Sequence, residues 1–205
     1  MIQIGVEIGL SWLQPIVGQG ADVTASAFIQ NVISTLKKSR LSVSLKPSSV
    51  LDEEGTLAIF DSSKGIIVAA QHPDWLLHLA HEYGHFQQSK EGHPDWKYDP
   101  VDLEAWIDGR VEYHYADLEE IVRSLQRLEH DAERRALKHI RQHKLGDATS
   151  YARKANRYIL SFEIARRYRV WPDIPDEYLV HFPARLMPLS QISNHPVLPH
   201  FRPKT

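Results

Sequence analysis

The sequence predicts an α+β fold: a small antiparallel sheet or hairpin followed by a mostly helical C-terminal half, in one domain spanning residues 1–205. Three observations predict it. Short β-like runs cluster between residues 41 and 70, the apolar spacing switches to the helical period from Asp74 to about Arg169, and prolines recur from Pro172 onward. At 205 residues, 42% hydrophobic and 24% charged, the chain carries enough apolar material for one sizeable core.

Each element follows from its local pattern. An amphipathic helix is expected over about 21–39, with Phe28, Ile29, Val32, Ile33 and Leu36 on one stripe. Residues 41–45 alternate, 56–60 read TLAIF and 65–70 read GIIVAA; a DSSK turn joins the last two and suggests an antiparallel hairpin. Asp74, directly after Pro73, gives a helix start for about 74–90. Helices then dominate about 101–169, and the proline-rich stretch 171–205 reads as a wrapping, mostly irregular segment. The tetrapeptide HPDW occurs at His72 and again at His93, but its unrelated flanks point to coincidence or a shared helix-start preference rather than a repeat.

Composition narrows the chemistry. With no cysteine, the chain can have no disulfide, Cys nucleophile, Cys-type zinc finger or iron–sulfur cluster, and a reducing, cytoplasmic setting fits. No apolar run approaches the ~18–20 residues of a membrane span. The opening MIQIGVEIGLSWLQP has no Lys or Arg before its apolar stretch and is interrupted by Glu7, so no secretory start is expected. The net charge of -2 hides an asymmetry: residues 51–133 hold 19 acids and 6 bases, whereas 134–169 hold 11 bases with only Asp147 and Glu163. Either the two faces partly neutralise each other across the fold, or the basic stretch meets nucleic acid or an acidic partner. The first reading is favoured, because the stretch has no nucleic-acid motif and its aromatics (Tyr151, Tyr158, Phe162, Tyr168) recur at helix-packing spacings.

The residues that carry chemistry are His81-Glu82-Tyr83-Gly84-His85. On a helix, positions i and i+4 share a face one turn apart, so two imidazoles can chelate one metal ion while Glu82 projects beside them toward a water. Gly84 allows another backbone to approach this turn, a use that explains a residue otherwise costing about 1 kcal/mol in a helix interior. The alternative is two surface histidines on an amphipathic helix. A catalytic zinc needs a third protein ligand. Position 88 is Gln and no His stands at 91, so an HExxHxxGxxH set is excluded, and His93 would need a different turn. Glu129 is the better candidate. Ile121, Val122, Leu125, Leu128, Ala132, Ala136 and Ile140 form one stripe, with Glu129 inside it and Glu133 at its edge. A lone carboxylate on a buried face needs a partner, either a metal or an arginine such as Arg134 or Arg135.

HEYGH, followed by Glu129 to Ala136 reading EHDAERRA, resembles the gluzincin-type zinc metallopeptidases. The similarity is closest to small metallopeptidase-like proteins of bacteria and their phages, in which an HExGH helix, an LExxxERRA-like helix and a YxxxANxY segment follow in order. Here those are Leu128 to Ala136, then YARKANRY from Tyr151 to Tyr158, over about residues 56–188. The departure is length: 43 residues lie between His85 and Glu129.

The resemblance implies a zincin-like helical core and one zinc on His81, His85 and Glu129, with Glu82 as the general base in hydrolysis of a protein or peptide substrate. His114 and Tyr115, or Tyr151 or Tyr158, are candidates for an oxyanion donor, and Glu133 for orienting a ligand histidine through Nδ1. His78, one turn before His81, is expected at the rim or against a ligand, and His139 and His143 as half-buried packing residues. Asp131 is expected to point away. The alternatives are a zinc-binding interaction module without turnover and a nucleic-acid-associated protein using the 134–169 region.

Overall fold

The computed structural model describes residues 23–98, 100–196 and 198; the opening segment read above for a secretory start, and Pro199 and Pro203, lie outside them. Helix α1 (Val23–Lys38) buries Ala25, Phe28, Ile29, Val32 and Leu36. Ile33, expected on that stripe, is 38% exposed: one position past Val32, it is rotated by about 100° off the buried line.

Three strands follow: β1 (Ser42–Lys46), β2 (Ala58–Asp61) and β3 (Gly65–Ala69). β2 and β3 form the expected antiparallel hairpin, pairing Ala58 with Val68 and Asp61 with Gly65. Its turn is fixed by Asp61, whose Oδ1 accepts from the backbone N–H groups of Ser63 at 2.8 Å and Lys64 at 3.1 Å. The sheet as a whole is mixed, not antiparallel, because β1 pairs with β3 in parallel and the order is β1-β3-β2. The reason is composition. The apolar run GIIVA is buried nearly throughout and takes the centre, whereas SVSLK, with both ends exposed, serves as an edge. Gly65 makes the parallel pairing possible: at φ 111° a Cβ there would lie 2.0 Å from the Ser42 carbonyl oxygen.

Helix α2 (Trp75–Glu91) packs on β2 and β3 with one side and on the long later helix over Tyr115–His143 with another. Asp74 occupies its N-cap position without capping it; the carboxylate instead accepts from Lys154 Nζ at 3.0 Å. The two HPDW segments share one turn: His72 and His93 each accept, at Nδ1, the N–H of the Asp two residues on, at 3.1 and 3.3 Å. Only the first opens a helix.

The region expected to be helical resolves into α3 (Pro100–Ile107), α4 (Tyr115–His143) and α5 (Ala148–Tyr168). The whole predicted α4 stripe from Ile121 to Ile140 is buried. Asp147 caps α5 by accepting the Thr149 N–H at 2.8 Å, so α4 and α5 form a tightly connected helical hairpin. The tail wraps as expected, through a 3₁₀ turn (Asp176–His181) and α6 (Leu189–Ile192). It buries Ile174, Phe182, Met187, Ile192 and Leu198 against Ile159, Leu160 and Ile164 of α5. No helix among the described residues is long and apolar enough to cross a membrane.

Candidate metal centre

The candidate site lies where α2 crosses α4, and the crossing is close because its contact residues are small. A Cβ on Gly84 would stand 2.9 Å from the Ala132 carbonyl oxygen and 3.2 Å from its Cα. This proximity brings the side chains on either side of Gly84 to Glu129, one turn before Ala132.

Three ligand atoms converge. The Nε2 atoms of His81 and His85 are 3.0 Å apart, and Glu129 Oε2 lies 3.4 Å from the first and 3.5 Å from the second. Two bonds of about 2.0–2.1 Å meeting at a tetrahedral angle span about 3.3–3.4 Å, so the triangle has the dimensions of one face of a zinc-like coordination shell. Among the described residues this is the one His/Asp/Glu group with the spacing to hold a metal ion.

The outer nitrogens set the tautomers. The amide of Gln88, fully buried, donates from Nε2 to the Leu128 carbonyl at 2.6 Å and to Asp131 Oδ2 at 3.2 Å. Its Oε1 therefore faces His85 Nδ1, 3.0 Å away, and accepts a hydrogen bond from the Nδ1–H. Glu133 Oε1 stands 3.4 Å from His81 Nδ1 in the same role. With both Nδ1 atoms protonated, both Nε2 atoms present lone pairs, and they face Glu129 Oε2, a buried oxygen with no hydrogen-bond partner. A proton on one Nε2 would satisfy one contact at a time. A cation at the centre satisfies all three.

Electrostatics agree. Burial opposes charge on His81 and His85, yet Glu133 and Glu129 raise the first well above its ordinary value, and Glu129 raises the second. Burial likewise opposes charge on Glu129, but the two imidazoles bring its pKa far below the carboxylate range. The cluster favours positive charge, which a divalent ion supplies without protons. Glu82 differs: burial above all raises its pKa, with the imidazoles and the Phe60 amide of β2 opposing.

Other expectations divide. Arg134 and Arg135 do not pair with Glu129; both bind Asp131, and Arg135 also holds Glu91 at 2.6 Å. Asp131 thus does not simply point away, since it anchors Gln88 behind His85. His78 packs edge-on against His72, with centroids 5.1 Å apart, and burial lowers its pKa to about 4, leaving a neutral neighbour of His81. His139 and His143 pack on Phe28, and His139 also on Tyr83.

His114 and Tyr115 are not brought to the site. His114 caps α4 by accepting the Ala116 N–H at Nδ1, and Tyr115 is 67% exposed, its hydroxyl accepting from Arg166. Both lie some 14–15 residues before Glu129 on one straight helix, roughly 21–23 Å away along its axis. Tyr151 of α5 does reach the carboxylates: burial raises its phenol well above the ordinary pKa, and Glu133, Glu82 and Glu129 raise it further. Tyr158 is 38% exposed and packs edge-on against Phe162 and Trp171 instead. Tyr151 lies against Glu133, and its hydroxyl and Glu133 Oε2 are both buried with no well-aligned hydrogen-bond partner.

The sequence reading missed Gln88 and Trp96. Gln88, three residues after His85 on the same helix, carried a usable signal: an amide at the position where a ligand's Nδ1 needs an acceptor. The Trp96 ring, 5.7 Å from His85 and 6.0 Å from Phe60, forms an aromatic wall beside the triad, and no local pattern announced it. Comparison with known proteins gives no matching protein family, no matching curated protein and no matching solved structure.

Proposed function

We propose that this chain is a zinc-dependent hydrolase of peptide bonds, with His81, His85 and Glu129 as the metal ligands and Glu82 as the general base. The observation that carries the reading is the closed triangle of two Nε2 atoms and a carboxylate oxygen without a hydrogen-bond partner, with edges of 3.0, 3.4 and 3.5 Å. Two imidazoles and a carboxylate, without thiolate, are a donor set that suits zinc and leaves room for a non-protein ligand. Zinc held there would supply Lewis acidity, polarising a carbonyl and lowering the pKa of a water.

The chain's own groups supply the rest. Glu82, raised in pKa by burial, takes a proton from the attacking water and hands it to the leaving amine. Gln88 and Glu133 hold the imidazoles in the tautomer that turns Nε2 inward. The phenol of Tyr151, buried against Glu133, stays protonated at neutral pH and so remains a donor for a developing oxyanion.

The test is metal analysis of protein purified without a histidine tag, combined with peptide-library cleavage read by mass spectrometry. About one zinc per chain is expected, lost in His81→Ala and in His85→Ala. Glu82→Gln should keep the zinc and lose all cleavage. Unchanged zinc in both histidine variants would remove the metal site, and zinc with no cleavage by the wild type would leave a binding module without turnover.

A further inference from the structure

The basic stretch after residue 133 is largely neutralised in the fold. Arg135 pairs with Glu91, Lys154 with Asp74, Arg157 with Asp176, Arg166 and Arg167 with Glu163, and Arg169 with Glu112. Lys138 and Arg141 are different. Both are exposed on α4, neither pairs with a carboxylate among the described residues, and both line one open groove of about 580 Å3. Its other wall is Arg185, equally unpaired and exposed, and its apolar surface is Leu137 and Leu186.

The wall carrying Arg185 is fixed. Asn156, fully buried, accepts the Met187 N–H at 2.8 Å and donates to the Arg185 carbonyl at 2.9 Å, while His130 Nε2 donates to the Met187 carbonyl at 2.8 Å. The groove also continues the row that bears the metal-centre carboxylates. Glu129, Glu133, Leu137 and Arg141 follow at successive steps of four along α4, so Leu137 lies about 12 Å and Arg141 about 18 Å beyond Glu129. An extended peptide covers that span in roughly four to six residues.

We infer that this groove is a docking site for an acidic, leucine-like segment of the protein substrate, bound alongside the metal centre; the inference rests on the peptidase reading for the word substrate, and on the groove alone for the binding. Three unpaired cations around an apolar floor suit carboxylates alternating with branched aliphatic side chains. Nucleic acid fits less well. No aromatic ring lines the groove to stack a base, and a phosphate backbone brings nothing for the leucines.

The experiment measures binding by fluorescence anisotropy to the full-length Glu82→Gln protein, so that cleavage does not intervene. The probes are a short labelled peptide of alternating Glu and Leu, a matched Glu/Ser peptide, an oligo-dT strand and a short DNA duplex. The Glu/Leu peptide is expected to bind tightest. The added triple reversal Lys138→Glu, Arg141→Glu and Arg185→Glu should weaken it at least about tenfold, with melting temperature and zinc content unchanged. No binding of the Glu/Leu peptide, equal binding of the Glu/Ser peptide, or indifference to the reversal would overturn the inference. Tighter binding of either DNA would assign the groove to nucleic acid, and concentration-dependent dimerisation lost on reversal would assign it to a second copy. Zinc content and cleavage are measured separately, so the groove and the peptidase reading can fail independently.

Discussion

Gly84→Ala puts the helix crossing and the metal centre to one test, because two principles predict opposite signs for it. Helix propensity alone makes alanine better than glycine in the middle of α2 by about 0.8–1 kcal/mol. The structure predicts the reverse. The new methyl would stand 2.9 Å from the Ala132 carbonyl oxygen and 3.2 Å from its Cα, both backbone atoms that no rotamer change can move. Restoring ordinary contact requires α2 and α4 to separate by about 0.5 Å, and overpacking of this kind costs roughly 1–3 kcal/mol. After the propensity gain, a net loss of up to about 2 kcal/mol remains, or several degrees in Tm for a chain of this size. The same movement stretches the edges from His81 and His85 to Glu129, now 3.4 and 3.5 Å, away from the roughly 3.4 Å of a tetrahedral face. Zinc affinity, measured by chelator competition, should therefore fall about tenfold or more, out of proportion to the loss of stability. A variant that melts higher than wild type and binds zinc equally well would refute both the close crossing and its role in the site.

Two further outcomes separate the roles of the buried carboxylates. Glu129→Gln should weaken zinc binding by more than the tenfold to hundredfold expected for Glu133→Gln, which acts through His81 Nδ1, and excess zinc should partly restore its stability; the opposite order in chelator competition would move the third ligand one turn along α4. Glu163, whose side chain is 1% exposed, is held below the carboxylate range by Arg166 and Arg167 against the opposing effect of burial. Its folded pKa is depressed, so its stabilisation is present above the unfolded value and is lost as pH falls through the folded one. Glu163→Gln should cost roughly 2 kcal/mol or more at neutral pH in urea unfolding and should flatten the loss of stability as pH falls below about 4.5. An unchanged acid slope would remove Glu163 from the groups that link α4, α5 and the tail.

What the sequence made legible was periodic, and what it hid was not. His81 and His85 could be read because a metal face on a helix needs a spacing of four. Glu129 could be read because an acid inside the stripe from Ile121 to Ile140 breaks a pattern, and the structure leaves its inner oxygen unpartnered. Gly84 and Ala132 could be read as small residues in places that need a reason, and they meet each other. The central position of β3 was also available, since an unbroken GIIVA run seldom forms a half-exposed edge; the alternation in β1 reports only that one face is wet and says nothing of the direction of its partner. His114 and Tyr115 show the opposite error, in which types suited to oxyanion work were chosen without asking how far a straight helix carries them from Glu129. The chain of contacts from Glu91 through Arg135 and Asp131 to Gln88 and His85 had no period to betray it. Its two cross-helix contacts join residues 44 and 43 apart along the chain, which become neighbours only once α2 and α4 cross. A candidate ligand histidine is therefore visible in one helix, while the group that fixes its tautomer depends on two.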